Sequence, residues 1–344
     1  LFVSSLLPYG AGTPWRPALD ALAAWIQAQP PGQLVRLNPR KVASTLSLDG
    51  PTVTDAFLAA AQEGWFDLRW DYRCPHCHGV AGFSAHLKSA RTQMVCPACT
   101  SSFSNGLDTN VEVTFTATPK LSGVDTGEAE ALDAPGEPDP LALTGLDVFH
   151  RPLFQQRFGD QVLSAEESLQ VRHVVLLFTD IRGSTALYER LGDAQAYNLV
   201  REHFKVLFQA IEAQGGVVVK TIGDAVMASF RRPAAALEAA LTVQGAIGEL
   251  KVPGTDEAVV VKMGLHAGPA LAVTLNGRFD YFGQSVNRAA RIQGLARDQE
   301  IDFSEAVFQD PSCRRMLAGR KAAVRRFRAT LKGIEGEQVI YSVK

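Results

Sequence analysis

"LLFTDIRGST", residues 176–185, is the stretch on which the reading of this chain turns. An apolar run stops at Asp180, passes through Arg182 and Gly183, and continues into Ser184 and Thr185. A buried strand that ends on a carboxylate and then a glycine turn predicts a place for a metal ion beside phosphate. Hard cations take oxygen ligands, and the start of a helix presents free backbone N–H groups. "KTIGDAVMASF" (220–230) repeats the device, with Asp224 following Gly223 between two strand patterns. On adjacent strands the two carboxylates can share divalent cations. Such oxygens suit Mg²⁺ or Mn²⁺, which keep water and take their other ligands from a nucleotide's phosphates. Taken singly, each aspartate reads as a turn residue or helix cap, and Ser184 and Thr185 as N-terminal caps.

Around these stretches the pattern alternates. Strand "VVLLFT" is followed by a long helix whose Val200, Phe204, Leu207, Phe208 and Ile211 recur at three- and four-residue steps, which covers one face against a sheet. Strands "GGVVVKTI" and "AVMASF", helix "PAAALEAALTVQGAI" and strand "AVVVKMGLHAG" come next. A hairpin at Asn276-Gly277 leads to helix "SVNRAARIQGLA". Residues 174–344 therefore predict an α+β or α/β domain.

Upstream, residues 1–118 predict three helices ("PALDALAAWIQ", "NPRKVASTL" and one from "DGPTVTDAFLAAAQ") and strands, with "NVEVTFTA" alternating in and out. This pattern suggests a winged-helix-like fold. Within it "CPHC" and "CPAC" place Cys74 and Cys77, then Cys96 and Cys99, across a loop that lets both knuckles converge on one tetrahedral Zn²⁺, as in a zinc ribbon. The competing reading, two disulfides, needs a secreted protein and no signal peptide is visible. His76 and His78 read as solvated neighbours of a complete thiolate set, and Cys313 as a buried apolar side chain. The winged helix does not predict a DNA reader. Its recognition helix (51–64) carries Asp55 and Glu63 and no cation, while Arg36, Arg40 and Lys41, the one small basic cluster, read as a solvated face. An interaction or sensory module, with a protein partner, is expected instead.

Residues 119–147 read as an acidic Pro/Gly linker, with Asp125, Glu128, Glu130, Asp133, Glu137 and Asp139 and no Lys or Arg from 121 to 150. Residues 148–173 are the connecting segment. A net charge of −2 supplies no field for nucleic acid or anionic lipid, and 46% apolar residues suffice for ordinary cores. No apolar run approaches the roughly 18 residues of a membrane helix. A soluble, cytoplasmic protein with no membrane segment is expected. The chain opens on Leu1 rather than Met, which leaves a natural start further upstream open.

"FTDIRGST", "KTIGDAVMASF", "FDYFGQSVNRAAR" and "LKGIEGEQVIYSV" stand in the order and spacing that resemble class III adenylate and guanylate cyclase catalytic domains. The first half, mainly through "RWDYRCPHC", resembles an uncharacterised domain that precedes such cyclases in bacteria. The resemblance implies a ferredoxin-like α+β domain and, as metal ligands, Asp180, Asp224 and the Ile181 carbonyl. It implies that Asn287 and Arg291 position the ribose and stabilise the α-phosphoryl group, and that Lys332 grips the terminal phosphates. Lys220 and Asp280 match the positions that choose the base and imply ATP. It further implies two Mg²⁺ or Mn²⁺ ions per site, and a homodimer whose sites are shared between subunits. Pro269 departs from an arginine found in some members, a loss for which Arg182 is the candidate substitute. A nucleotide-sensing regulator of low turnover, acting through its first half on DNA or a protein, is the competing expectation.

Overall fold

The computed structural model describes residues 15–122, 135–159, 161–297 and 299–344, and the expected linker acids Asp125, Glu128, Glu130 and Asp133 lie outside them. The chain divides into two compact units, Leu1–Val171 with Ala272–Phe279, and Arg172–Leu271 with Asp280–Lys344.

In the first unit, helices α1 (Arg16–Gln27), α2 (Pro39–Leu46) and α3 (Gly50–Gln62) lead into an antiparallel sheet of order β2-β1-β5. Its strands are β1 (Phe66–Arg73), β2 (Val80–Ser84) and β5 (Val111–Ala117), and β3 (Gln93–Val95) pairs separately with β4 (Ser102–Ser104). The helix starts are written in the sequence. Each has Pro in its first turn, and the Asn38 and Asp49 side chains accept hydrogen bonds from the amides of Arg40 and Thr52, both at 2.9 Å.

Three expectations need correction here. Helix α3 is sunk in the core, with Val53, Ala56, Phe57, Leu58 and Ala60 buried, because it packs against both β1 and its neighbouring helices; Asp55 is tied to Arg151 at 2.8 Å. The basic cluster is only in part a solvated face: Arg36 turns inward to pair with buried Asp71 (3.2 Å), whereas Arg40 and the exposed Lys41 pair with Asp147 and Asp139 (both 3.0 Å) at the surface. Strand β5 does not alternate in burial, since both its faces are covered and all its residues are buried; its edges are taken by β1 on one side and by bridges to Leu37 and Thr144 on the other. Its polar residues consequently need internal partners. Glu112 accepts from Arg73 Nε at 2.8 Å, and Thr114 donates to Asp71 at 2.8 Å.

After α4 (Pro119–Ser122), α5 (Gly145–Phe149) starts on a capping box formed by Thr144 and Asp147, and α6 (Pro152–Arg157) follows. Phe149 and Phe154 pack at 6.2 and 6.0 Å from the fully buried Trp70, and Phe279 stacks on Phe149 at 4.2 Å.

The second unit is built on an eight-stranded mixed sheet of order β12-β13-β11-β9-β6-β8-β7, with β10 paired to β9. The strands are β6 (Leu169–Ile181), β7 (Val217–Ile222), β8 (Ala225–Phe230), β9 (Val261–Leu275), β10 (Arg278–Phe282), β11 (Ile301–Ser304), β12 (Arg325–Thr330) and β13 (Glu337–Val343). Helices α7 (Ser184–Leu191), α8 (Asp193–Ala213), α9 (Pro233–Ile247), α10 (Gln284–Leu295), α11 (Glu305–Phe308) and α12 (Pro311–Gly319) surround it. The single long helix expected after β6 is two, because Gly192 takes φ 73° between α7 and α8. Ser184 and Thr185 are not caps: Gly183, at φ 63°, holds the cap position and no side chain bonds there. Cys313 is buried in the core formed by the sheet with α8, α9 and α12, as expected.

Helix α10 crosses β9 in close contact at Gly264, where a Cβ would stand 2.1 Å from the Gln293 nitrogen. On the neighbouring strand Asp302 is fully buried, with the Ser342 hydroxyl as its near polar neighbour. Burial pushes its carboxyl up to about 6. A raised acid costs stability as pH rises from its unfolded value, near 3.8, through its folded one. Asp302→Asn is therefore expected to raise Tm at pH 7.5, by a free energy on the order of 1–3 kcal/mol, and to leave it unchanged below pH 4. Melting curves at both pH values check this.

Candidate functional site

Strands β6 and β8 are antiparallel, with Thr179 opposite Val226, so the end of β6 lies against the β7–β8 turn. Gly223, at φ 63°, makes that turn and leaves Asp224 beside the strand end. Asp224 Oδ2 accepts the Ile181 N–H at 3.1 Å, which brings its carboxylate next to Asp180. Burial, and then the charge of Asp224, push the Asp180 carboxyl up, with Lys262 pulling it down. Two half-buried carboxylates side by side, with Lys262 near Asp180, fit a divalent cation that takes oxygen ligands.

Three residues that sequence reasoning missed complete this corner. Tyr188, one turn into α7, has a buried hydroxyl close to Ser184 and the Asp224 carboxylate; burial and then the charge of Asp224 push it up to about 12. His203 on α8 is fully buried and bonds the Asp224 carbonyl through Nε2 at 3.2 Å. Burial lowers it to about 4, so the ring is neutral at pH 7. Lys262 comes from β9. No motif marks these residues, although Tyr188 is four positions beyond Ser184 on the helix that follows Asp180.

A second group lies at β7 and β10. Lys220 Nζ donates to Asp280 Oδ2, and Asp280, only 5% exposed, also accepts the Tyr281 N–H at 2.8 Å. Held from two sides, the carboxylate keeps a fixed direction. A third group forms one cleft of about 500 Å³, lined by Asn287, Arg288 and Arg291 of α10 and by Lys332, Gly333 and Glu335 of the turn before β13. Neither the aspartate pair nor Lys220 and Asp280 line that cleft. Pro269 is exposed on β9, and Arg182 borders another cavity of about 770 Å³ beside Ile181 and Gly183.

In the first unit the four sulfurs of Cys74, Cys77, Cys96 and Cys99 all lie within 4.8 Å of one another. Cys74 and Cys99 are 3.6 Å apart, Cys77 and Cys96 3.7 Å. Thiolates at about 2.3 Å from a tetrahedral zinc stand roughly 3.8 Å apart. The two knuckles are alike in detail: His78 and Thr100, each just after the second cysteine, take φ 57° and 60° and close turns onto the Cys74 and Cys96 carbonyls. The donor set therefore fits a structural metal ion.

A family model described as the adenylate and guanylate cyclase catalytic domain matches residues 166–344, just over half of the chain. The chain belongs to that family. Residues 13–138 match a second family, described only as of unknown function. Curated relatives of the cyclase half include an adenylate cyclase of Mycosarcoma maydis, 35% identical over 179 residues, or 44% of this chain and 7% of that protein. An adenylate cyclase of Anabaena cylindrica is 30% identical over 157 residues, 41% of this chain and 31% of that one. The chain thus spans less than a third of the length of either relative. Among solved structures, the adenylyl cyclase CyaB from P. aeruginosa is 22% identical with a TM-score of 0.45, covering 52% of this chain and 96% of that chain. No helix among the described residues is long and apolar enough to cross a membrane.

Metal analysis of the purified full chain is expected to find close to one Zn²⁺ per chain. Cys96→Ser should lose it and lower Tm, because binding energy at such a site is folding energy; zinc retained at full occupancy in the variant would contradict the four-thiolate assignment.

Proposed function

We propose that this chain is an adenylate cyclase, converting ATP to 3′,5′-cyclic AMP and pyrophosphate. The observation that carries the choice of base is the pairing of the Lys220 ammonium with the buried Asp280 carboxylate. Adenine offers an acceptor at N1 beside a donor at its exocyclic amine. A donor and an acceptor held side by side match that edge, whereas guanine reverses the order. Buried polar partners can discriminate by as much as about 10⁴–10⁵-fold.

Asp180, Asp224 and the Ile181 carbonyl would hold two Mg²⁺ or Mn²⁺ ions, which when bound supply the charge that activates the ribose 3′-hydroxyl and offsets that of departing pyrophosphate. The remaining chemistry falls to side chains. Asn287 and Arg291, four residues apart on α10, project from one helix face; in this reading the amide orients the ribose and the guanidinium stabilises charge gathering on the α-phosphoryl oxygens. Lys332, across the same cleft, holds the terminal phosphates. Tyr188 and His203 are positioning residues for Asp224: one stands ready to donate to its carboxylate, the other bonds its carbonyl.

Within one chain the Asn287–Arg291–Lys332 cleft does not include the aspartate pair. That separation supports a homodimer in which the metal aspartates of one subunit face the base-reading and transition-state residues of the other, so that a monomer is inactive. We read the first unit as a regulatory module, its three helices and sheet winged-helix-like and its cysteines a zinc ribbon, acting in the cytoplasm on the cyclase domain.

Purified full-length protein is expected to form cyclic AMP from ATP with Mg²⁺ or Mn²⁺, and to use GTP far less well. Asp180→Ala should cut kcat by at least about 100-fold, since several kcal/mol of charge stabilisation is lost, with the circular dichroism spectrum unchanged. Lys220→Glu sets two carboxylates side by side and should lower kcat/KM for ATP by on the order of 100-fold. ATP binding without any cyclic product under either metal would contradict the proposal, and an unaltered ATP preference in Lys220→Glu would contradict the account of base choice.

A further inference from the structure

The first unit contains a cleft of about 280 Å³ between α1, α2, β5 and the segment before α5. Small-molecule sites run from about 300 Å³ upward, so this one is sized for a compact ligand. Part of its wall is apolar, from Leu37, Val42, Val113 and Leu143, with the half-buried indole of Trp25 beside them. The rest is charged, and the charges come as pairs of opposite sign. Arg73 Nε meets Glu112 Oε1 at 2.8 Å, and Lys41 Nζ meets Asp139 Oδ2 at 3.0 Å. Arg36 also lines the cleft and pairs with Asp71 behind it at 3.2 Å.

This pairing constrains what can bind. An anion entering the cleft would have to draw Lys41 or Arg73 from its carboxylate, leaving Glu112, only 6% exposed, or Asp139 without a counter-ion. A simple cation would leave a guanidinium or ammonium in the same position. A neutral apolar molecule would satisfy the Trp25 side and bury the ion pairs without replacing their hydration. A molecule carrying both charges can set its ammonium beside the two carboxylates and its carboxylate beside Lys41 while Arg73 keeps Glu112, leaving no charge unmatched. Burial pushes the Glu112 carboxyl up against the pull of Arg73, with Asp139 and Asp71 adding to the rise.

We propose that this cleft is the receptor site for a small zwitterion of the α-amino-acid type with an apolar side chain. Its carboxylate faces Lys41 and Arg36, its ammonium lies between Glu112 and Asp139, and its side chain lies along Trp25 and Leu143. Asp139 also holds the chain that leads to α5, accepting from Asn38 at 3.3 Å and from the Leu141 N–H at 3.0 Å. Exchange of its partner Lys41 is thus felt directly by the segment that follows the acidic stretch.

The test is calorimetric titration of the full chain with each of the twenty standard α-amino acids. The tightest binder is then compared with its decarboxylated amine and its deaminated acid. Expected is one site per chain for an amino acid with an apolar side chain, and affinity at least tenfold lower for both singly charged analogues. Lys41→Met, at an exposed helix position, and the isosteric Glu112→Gln should each weaken binding at least tenfold with zinc content unchanged. Glu112→Gln counts only if it melts cooperatively, and Lys41→Met is decisive alone. No binding by any amino acid, equal binding of a singly charged analogue, or full affinity in Lys41→Met would overturn the proposal. None of these readouts depends on cyclase activity, so this inference and the assignment of ATP chemistry stand or fall separately.

Discussion

The hydrogen bond from the Ile181 amide to the Asp224 carboxylate ties the end of β6 to the β7–β8 turn. It sets two carboxylates side by side in a half-buried corner, an arrangement that like charges resist. The surroundings are built to sustain it. Antiparallel pairing of β6 with β8 leaves the two strand ends no other register, Gly223 makes the turn, and His203 takes up the Asp224 carbonyl from below. Lys262 offsets part of the charge on Asp180, and a bound divalent cation would make such a site more favourable still.

The other candidate site side chains depend on equally rigid supports. Asn287 and Arg291 are carried by a helix held against β9 by a glycine that leaves no room for even one methyl group. Asp280 is fixed by its own neighbour's amide as well as by Lys220. Electrostatic preorganisation of this kind, with groups aimed before substrate arrives, is the largest contribution most enzymes make to a transition state.

The first unit has a polar interior for a different reason. Strand β5 is buried on both faces, so each of its polar residues is inside and must be paired. The resulting lattice of ion pairs, Arg36 to Asp71, Arg73 to Glu112 and Lys41 to Asp139, contributes little net stability where it is exposed and specificity where it is buried. It also surrounds a cleft, and a lattice of exchangeable pairs is suited to recognising a ligand that carries both signs.

Much of this was legible from local pattern. The strand-carboxylate-glycine stretches, the two cysteine knuckles, the Asn276-Gly277 hairpin and the apolar helix faces are short-range signals, and the structure forms each where its residues stand. Long-range covering was not legible. The alternation expected of β5 failed because its polar face is covered as well, with Arg73 over Glu112 and the Arg36 backbone over Thr116, and Arg36 leaves the basic cluster's surface because Asp71, 35 residues away in sequence, draws it inward. Tyr188, His203 and Lys262 carry no motif and acquire meaning only through what they touch. The sequence alone determined which chemistry-bearing groups the chain possesses, since backbone turns and residue types are local properties. Which of them meet, at what depth and with which counter-charge, was decided only by the tertiary structure, because desolvation and pairing energies depend on neighbours brought together from far along the chain.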